Sequence, residues 1–305
     1  MIYEYDKMDD CFDSMKEKIE AALRDTDLKE VFRKLDGIEG PTLVTGVGGS
    51  SVVARFLAKV LREKRHLLCT FAYPRDLTRM DLTPYENVIA VSYSGTNIGV
   101  DVIFDTKLNK YLFTGHPRSG CENIVYTMPQ ERSYVSVNAT IIPMTILLLY
   151  CLEDHRLPEG ILEEEIDSDS DADVYEIMSG YETLTAASLL ESCFTESGMA
   201  ACIVHDKYDF CHGRINLSRK GNSELIFFKM KNELDDLLYL QLKKQYDNII
   251  TIERKYDDDV VDDYRASVMG LKLIRQIARN KGTDISDMKE LPDNDVLYLY
   301  KGKMK

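Results

Sequence analysis

The stretch Val88-Ile-Ala-Val-Ser-Tyr-Ser-Gly-Thr-Asn97 limits most strongly what this chain can fold into. Four apolar residues in a row, 88–91, show no polar alternation, so they predict a strand buried on both faces, the kind found inside a parallel sheet. A polar turn, 92–97, stops the strand, and residues 98–108 predict a helix. Strand, hydroxyl-rich turn and helix point free backbone N–H groups and the positive end of a helix dipole at one place. Ser92, Ser94 and Thr96 add hydroxyl donors, which makes the turn a candidate pocket for a small anion, above all a phosphate. Capping the helix needs one such residue, and this turn holds three together with Asn97.

A chain of 305 residues is long enough for about two domains with a sizeable core. Its net charge of −14 argues against a nucleic-acid or anionic-membrane partner. It does not argue against a phosphorylated small molecule, because a pocket works through local donors. The seven cysteines (11, 69, 121, 151, 193, 202 and 211) are scattered and form no C-x-x-C pair, as expected of reduced thiols in a cytoplasmic protein. No signal-peptide pattern opens the chain, and the apolar run 141–152 contains Pro143 and is too short to span a bilayer. It predicts a core helix.

Residues 5–35 predict one amphipathic helix, or two, ending near Asp36-Gly37. A second unit of the same kind follows: strand 42–46, then Val47-Gly-Gly-Ser-Ser51 and a helix to about Glu63. Its glycines allow backbone to approach a ligand, and Ser50 and Ser51 stand where that helix begins. The pattern lacks the third glycine of a dinucleotide-binding turn, and no acidic residue ends the next strand (67–72), which argues against NAD. Strands 110–114 and 123–127 and a helix 138–153 complete a parallel sheet covered on both faces. After a hydrophilic stretch containing the acidic run 163–173, read as a solvated linker, the alternation restarts. Strands are predicted at 174–178, 199–205, 224–230 and 248–253, with helices at 182–196, 234–244 and 261–281. The halves read as two copies of one α/β unit, and only the first carries the Ser/Gly turns.

From about residue 42 to 282 these features resemble the double sugar-isomerase (SIS) domain family. Relatives in that family include the isomerase half of glutamine–fructose-6-phosphate aminotransferase and the fructosamine-phosphate deglycases. The resemblance rests on Gly48-Gly-Ser50, Ser92-Tyr-Ser-Gly95 and Asp209-Phe-Cys-His-Gly-Arg214. It implies two doubly wound parallel-sheet domains, flavodoxin-like three-layer α/β/α, behind an N-terminal helical segment. The expected boundaries are 1–40 (helical segment), 41–157 (first, phosphate-binding domain), 158–173 (acidic linker), 174–282 (second domain) and 283–305 (tail). By position it nominates Ser50, Ser51, Ser92, Tyr93 through its backbone, Ser94 and Asn97 for the substrate phosphate. The family usually has Thr where Asn97 stands. Gly48, Gly49, Glu131 and Ser136 are expected around the sugar.

Glu196 precedes His212 by sixteen residues, the spacing of the family's acid–base glutamate and ring-opening histidine. Moving a proton between C1 and C2 of a sugar suits a carboxylate in a partly dry pocket, and opening a hemiacetal near neutral pH suits histidine. In the family that histidine reaches the partner subunit's pocket, which implies a homodimer with a shared site. The other histidines (66, 116, 155 and 205) show no ligand-like spacing, so no metal is expected, and no cofactor either.

Three departures stand out. Cys193 occupies the place of a family lysine, and none of Lys301, Lys303 and Lys305 falls in the register of the family's Schiff-base lysine. Ile2 stands where a glutaminase would need cysteine, so glutamine-dependent amination is not expected. The tail segment 296–300 is left open between a strand and a cover for the pocket. The expectation is therefore a cytoplasmic isomerase or deglycase acting on a ketose or amino-sugar 6-phosphate. The alternative is a non-catalytic sugar-phosphate sensor that regulates a partner protein.

Overall fold

A computed structural model of the chain describes residues 5–216 and 223–287. The tail segment 296–300 and the three tail lysines lie outside the described residues. Three helices open the chain instead of one or two: α1 (Met8–Asp13), α2 (Met15–Asp25) and α3 (Leu28–Asp36). The second break is set by Asp27, whose side chain accepts the Glu30 amide at 3.1 Å and restarts the helix.

The first sheet is built from β1 (Thr42–Thr45), β2 (Cys69–Phe71), β3 (Asn87–Val91), β4 (Asn109–Thr114) and β5 (Glu122–Val125). All neighbours are parallel and the order is β2-β1-β3-β4-β5. Between them run α4 (Gly49–Arg65), the short α5 (Pro74–Leu77) and α6 (Ile98–Phe104), and α7 (Asn138–Cys151) follows. No helix separates β4 from β5; seven residues, 115–121, bring the chain back, with Gly120 at φ 87°. β3 is buried at every position, as its unbroken apolar run predicts. Ile89 and Val91 face α4 and α7, while Val88 and Ala90 face Val100 and Ile103 of α6. α7 is buried on all sides with Pro143 inside it, a core helix as expected.

The second sheet contains β6 (Val174–Ser179), β7 (Ala201–Asp206), β8 (Ser223–Lys229) and β9 (Ile249–Glu253), all parallel, in the order β7-β6-β8-β9. This repeats the first sheet's connectivity without its fifth strand. Its helices are α8 (Leu184–Glu196), α9 (Lys207–Phe210), α10 (Glu233–Leu242) and α11 (Asp259–Asn280). The two sheets share one core: Ile89 and Phe113 of the first and Ile177 and Ile226 of the second belong to a single buried cluster with α4, α7, α8 and α11. Area-proportional hydrophobic stabilisation therefore acts on both halves together.

The acidic stretch is not a loose solvated connector. Glu164 pairs with Arg265 at 2.6 Å and Lys255 at 2.7 Å, and Lys272 reaches Glu165 at 2.7 Å. Asn280 donates to the Ser168 and Ser170 carbonyls. The run lies along α11, whose basic residues it neutralises.

The two sheets differ at their carboxyl-end rims. In the second, Lys207 is fully buried and pairs with Asp235 at 2.8 Å, with Glu182 at 3.8 Å. This ion pair fills the crevice between β6, β7 and β8. The corresponding place in the first sheet is open.

Candidate functional site

The open place is a cleft of about 750 Å³ at the carboxyl ends of β1, β3, β4 and β5. The strand order reverses there: the chain leaves β1 outward to β2 and returns to β3 on the other side. Such a switch point separates the loops and leaves a crevice between them.

One wall is the glycine turn that opens α4. A Cβ at Gly46 would lie 2.4 Å from the Ser50 carbonyl oxygen, so the turn can close only around glycine. Gly48 sits at φ 56° and no side chain caps the helix start. The positive end of this seventeen-residue helix therefore opens on the cleft. Gly48, Gly49 and Ser50 line it; Ser51 does not, and its amide is held by the Gly48 carbonyl at 2.8 Å.

The facing wall is the turn after β3, where Ser92, Tyr93, Ser94 and Asn97 all reach the cleft. Asn97 turns out to be the helix cap. Its Oδ1 accepts the Val100 amide at 3.2 Å and its Nδ2 donates to the Val91 carbonyl at 3.2 Å. That structural use takes up much of the donor capacity expected for phosphate, and it leaves the hydroxyls unspent on capping. Ser94 meets only Thr96, at 2.8 Å. Among the described residues the hydroxyls of Ser50, Ser92 and Ser136 have no hydrogen-bond partner, and all three line the cleft. The Ser92 amide is spent on the Phe113 carbonyl, whereas the Tyr93 and Ser94 amides find no acceptor among the described residues. Tyr93 also contributes its side chain: the ring packs edge-on to His116 at 5.2 Å and the hydroxyl donates to the Met128 carbonyl at 3.3 Å.

Glu131 lines the cleft but its carboxylate is committed. It accepts the Val137 amide at 3.1 Å and the Ala139 amide at 2.7 Å, the free donors at the start of α7. This pins the loop that presents Ser136. Tyr134 and Val135 in the same loop donate their amides to the Ser286 and Ile285 carbonyls, so chain from beyond α11 braces the cleft mouth.

Glu196 ends α8 and brings the second half of the chain to the cleft, opposite Gly48. Burial of its carboxyl pushes its pKa up, and Glu191 pushes the same way; a hydrogen bond from the Ser192 hydroxyl at 2.6 Å opposes them. His212 does not line the cleft. It lies exposed in the turn after α9, beside the Arg214–Asp209 ion pair at 3.0 Å. Cys193, in place of the family lysine, is buried with its thiol pKa pushed up by desolvation, and is inert as a proton carrier.

Sequence reading missed His116, Tyr126, Tyr134 and Thr140, which also line the cleft. His116 follows β4 by two residues, and its place at a strand's carboxyl end was the one signal available. Among the described residues, no lysine or arginine lines the cleft, and His116 is the one basic side chain that does. Among the described residues no His/Cys/Asp/Glu group is placed to hold a metal ion, and no helix is long and apolar enough to cross a membrane.

No protein-family model and no curated protein matches this chain. Solved structures do match it. Glucosamine-6-phosphate deaminase from Thermotoga maritima superposes with a TM-score of 0.67 at 14% identity, covering 90% of this chain and 96% of that one. The C-terminal domain of glucosamine-fructose-6-phosphate aminotransferase from Francisella tularensis gives 0.69 at 14%, covering 92% and 96%. Tagatose-6-phosphate ketose/aldose isomerase from Escherichia coli gives 0.66 at 12%, covering 94% and 99%. What the chain shares with them over nearly its whole length is the parallel-sheet α/β fold.

Proposed function

We propose that the cleft binds a ketose or amino-sugar phosphate and that the protein is an acid–base enzyme acting on it, an isomerase or a deglycase. The carrying observation is the convergence of three hydroxyls without a partner among the described residues, on Ser50, Ser92 and Ser136, with Glu196 across the same cleft. Hydroxyls and amides bonded to a phosphate form charge-assisted hydrogen bonds, which are stronger than neutral ones. The α4 dipole adds to them. Structural neighbours whose names specify 6-phosphosugars support the same ligand class.

In this reading the first sheet's half holds the phosphate and the second half supplies proton transfer, as two SIS-type units. Glu196 takes the proton from one of C1 and C2 and returns it to the other; its raised pKa lets the protonated form persist nearer neutral pH. His212, exposed on its own protomer, opens the sugar ring only from the cleft of a partner protomer in a homodimer. The experiment is turnover of fructose-6-phosphate, glucosamine-6-phosphate and a fructosamine-phosphate by wild type and Glu196→Gln. Loss of turnover in the variant is expected. Equal rates remove Glu196 from the mechanism.

A second reading, a sensor that binds without conversion, is favoured by one observation: among the described residues of a protomer, neither His212 nor a lysine lines the cleft. Calorimetric binding of these sugar phosphates with no product formed selects it.

A further inference from the structure

Among the described residues, nothing covers an apolar stripe on α10. Leu234, Leu237 and Leu240 are 55%, 51% and 56% exposed, while Leu238 and Leu242 are buried against Phe210 and Phe227. The helix therefore has two apolar faces, and the inner one already accounts for its attachment to the sheet. Single exposed leucines are ordinary; three on one ridge of a ten-residue helix mark a contact surface.

The charges around the stripe indicate what it meets. Glu233, Leu237, Leu240 and Lys244 are spaced 4, 3 and 4 residues apart, which is the spacing of a helix–helix seam. The seam is acidic at its beginning, apolar in the middle and basic at its end, where Lys244 lies in the turn closing α10. Neither Glu233 nor Lys244 has an oppositely charged partner among the described residues; Lys244 donates only to Gln241, at 2.9 Å. Such a stripe is complementary to itself when reversed. With a two-fold axis near Leu238–Tyr239, Leu237 faces the other copy's Leu240 and Glu233 faces its Lys244, each contact made twice. Antiparallel helices also align their dipoles favourably.

We infer that α10 is a homotypic interface, at which a second copy of this chain docks antiparallel through Leu237, Leu240, Glu233 and Lys244. It stands independently of what the cleft binds.

The test is sedimentation equilibrium of the full chain from about 1 to about 200 µM. Wild type is expected to associate, and Leu237→Glu to raise the dissociation constant of that step about 100-fold or more, because it places a carboxylate at the centre of the seam. Far-UV circular dichroism and the urea midpoint confirm that this exposed substitution leaves the fold intact. Glu233→Lys and Lys244→Glu are each expected to weaken association about fivefold at low salt, and the double swap to restore it. Three results overturn the interface. One is a wild type that stays monomeric, whatever other protein the face binds. Another is an assembly whose mass Leu237→Glu leaves unchanged, and the third is a double swap no better than its singles.

Discussion

Lys59 Nζ lies 2.8 Å from Asp263 Oδ2, and both side chains are buried where α4 of the first half meets α8 and α11 of the second. The ammonium is saturated: it also donates to the carbonyls of Glu182 and Asp259. Asp263 uses its other oxygen to accept the Ala186 amide at 3.0 Å. One ion pair thus ties α4, α8 and α11 together. Lys59→Met is expected to cost about 3–5 kcal/mol, because it strands a buried carboxylate. Lys59→Met with Asp263→Leu is expected to regain much of that loss, though the Ala186 amide then lacks its acceptor. Urea unfolding of the two variants measures both. A single variant within about 1 kcal/mol of wild type would mean the pair carries little of the coupling.

The two polar residues at either end of the turn after β3 separate binding from folding. Among the described residues the Ser92 hydroxyl has no hydrogen-bond partner, so Ser92→Ala is expected to leave the unfolding midpoint unchanged. It is expected to weaken sugar-phosphate binding about tenfold, by removing one charge-assisted hydrogen bond. Asn97→Ala is expected to do the reverse, costing about 1 kcal/mol of stability through loss of the α6 cap. Thermal unfolding and calorimetry of both variants check the crossover.

The strands were legible because their apolar runs are short, unbroken and bounded by glycine or polar turns; β3 reads directly from residues 88–91. The cleft's hydroxyl turns were legible for the same reason, since strand end and turn are adjacent in sequence. His116, Tyr126 and Tyr134 were not, because they come from separate loops that only the β4–β5 fold-back and the Glu131 clasp bring together. The capping role of Asn97 was not legible, because a capping side chain and a phosphate-binding one have the same composition. The Thr26-Asp27 break with Glu30 three residues later is a helix-start signature that went unread within an otherwise continuous helical pattern. The filled rim of the second sheet depends on Lys207 and Asp235, 28 residues apart, and no local pattern announces their pairing.

A buried cluster in the second sheet sets an acid dependence of stability. Burial pushes the Glu176 pKa up, but hydrogen bonds from His205, Ser223 and Tyr246 together hold it below its usual value of 4.5. A depressed folded-state pKa stabilises the fold above the unfolded value, and that contribution is lost as pH falls through the folded one. The gap in unfolding free energy between wild type and Glu176→Gln is therefore expected to be widest above pH ~5 and to shrink below pH ~4. Denaturant titrations at several pH values measure the gap. A gap that stays constant on acidification would show that Glu176 contributes no such linkage.

Glu196 offers the sharpest test of the proposed chemistry, because two neighbours push its pKa in opposite directions. Burial raises it most, Glu191 raises it further, and the Ser192 hydroxyl, 2.6 Å from Oε1, lowers it. A base must be unprotonated to act, so kcat/KM on a turned-over sugar phosphate is expected to fall on the acid side through this pKa. Ser192→Ala removes a bond that favours the carboxylate and is expected to move that acid limb upward. Glu191→Gln removes a like charge and is expected to move it downward by a smaller amount, since Glu191 acts through space alone. Opposed shifts identify Glu196 as the titrating base. If both substitutions leave the limb in place, a group other than Glu196 controls it.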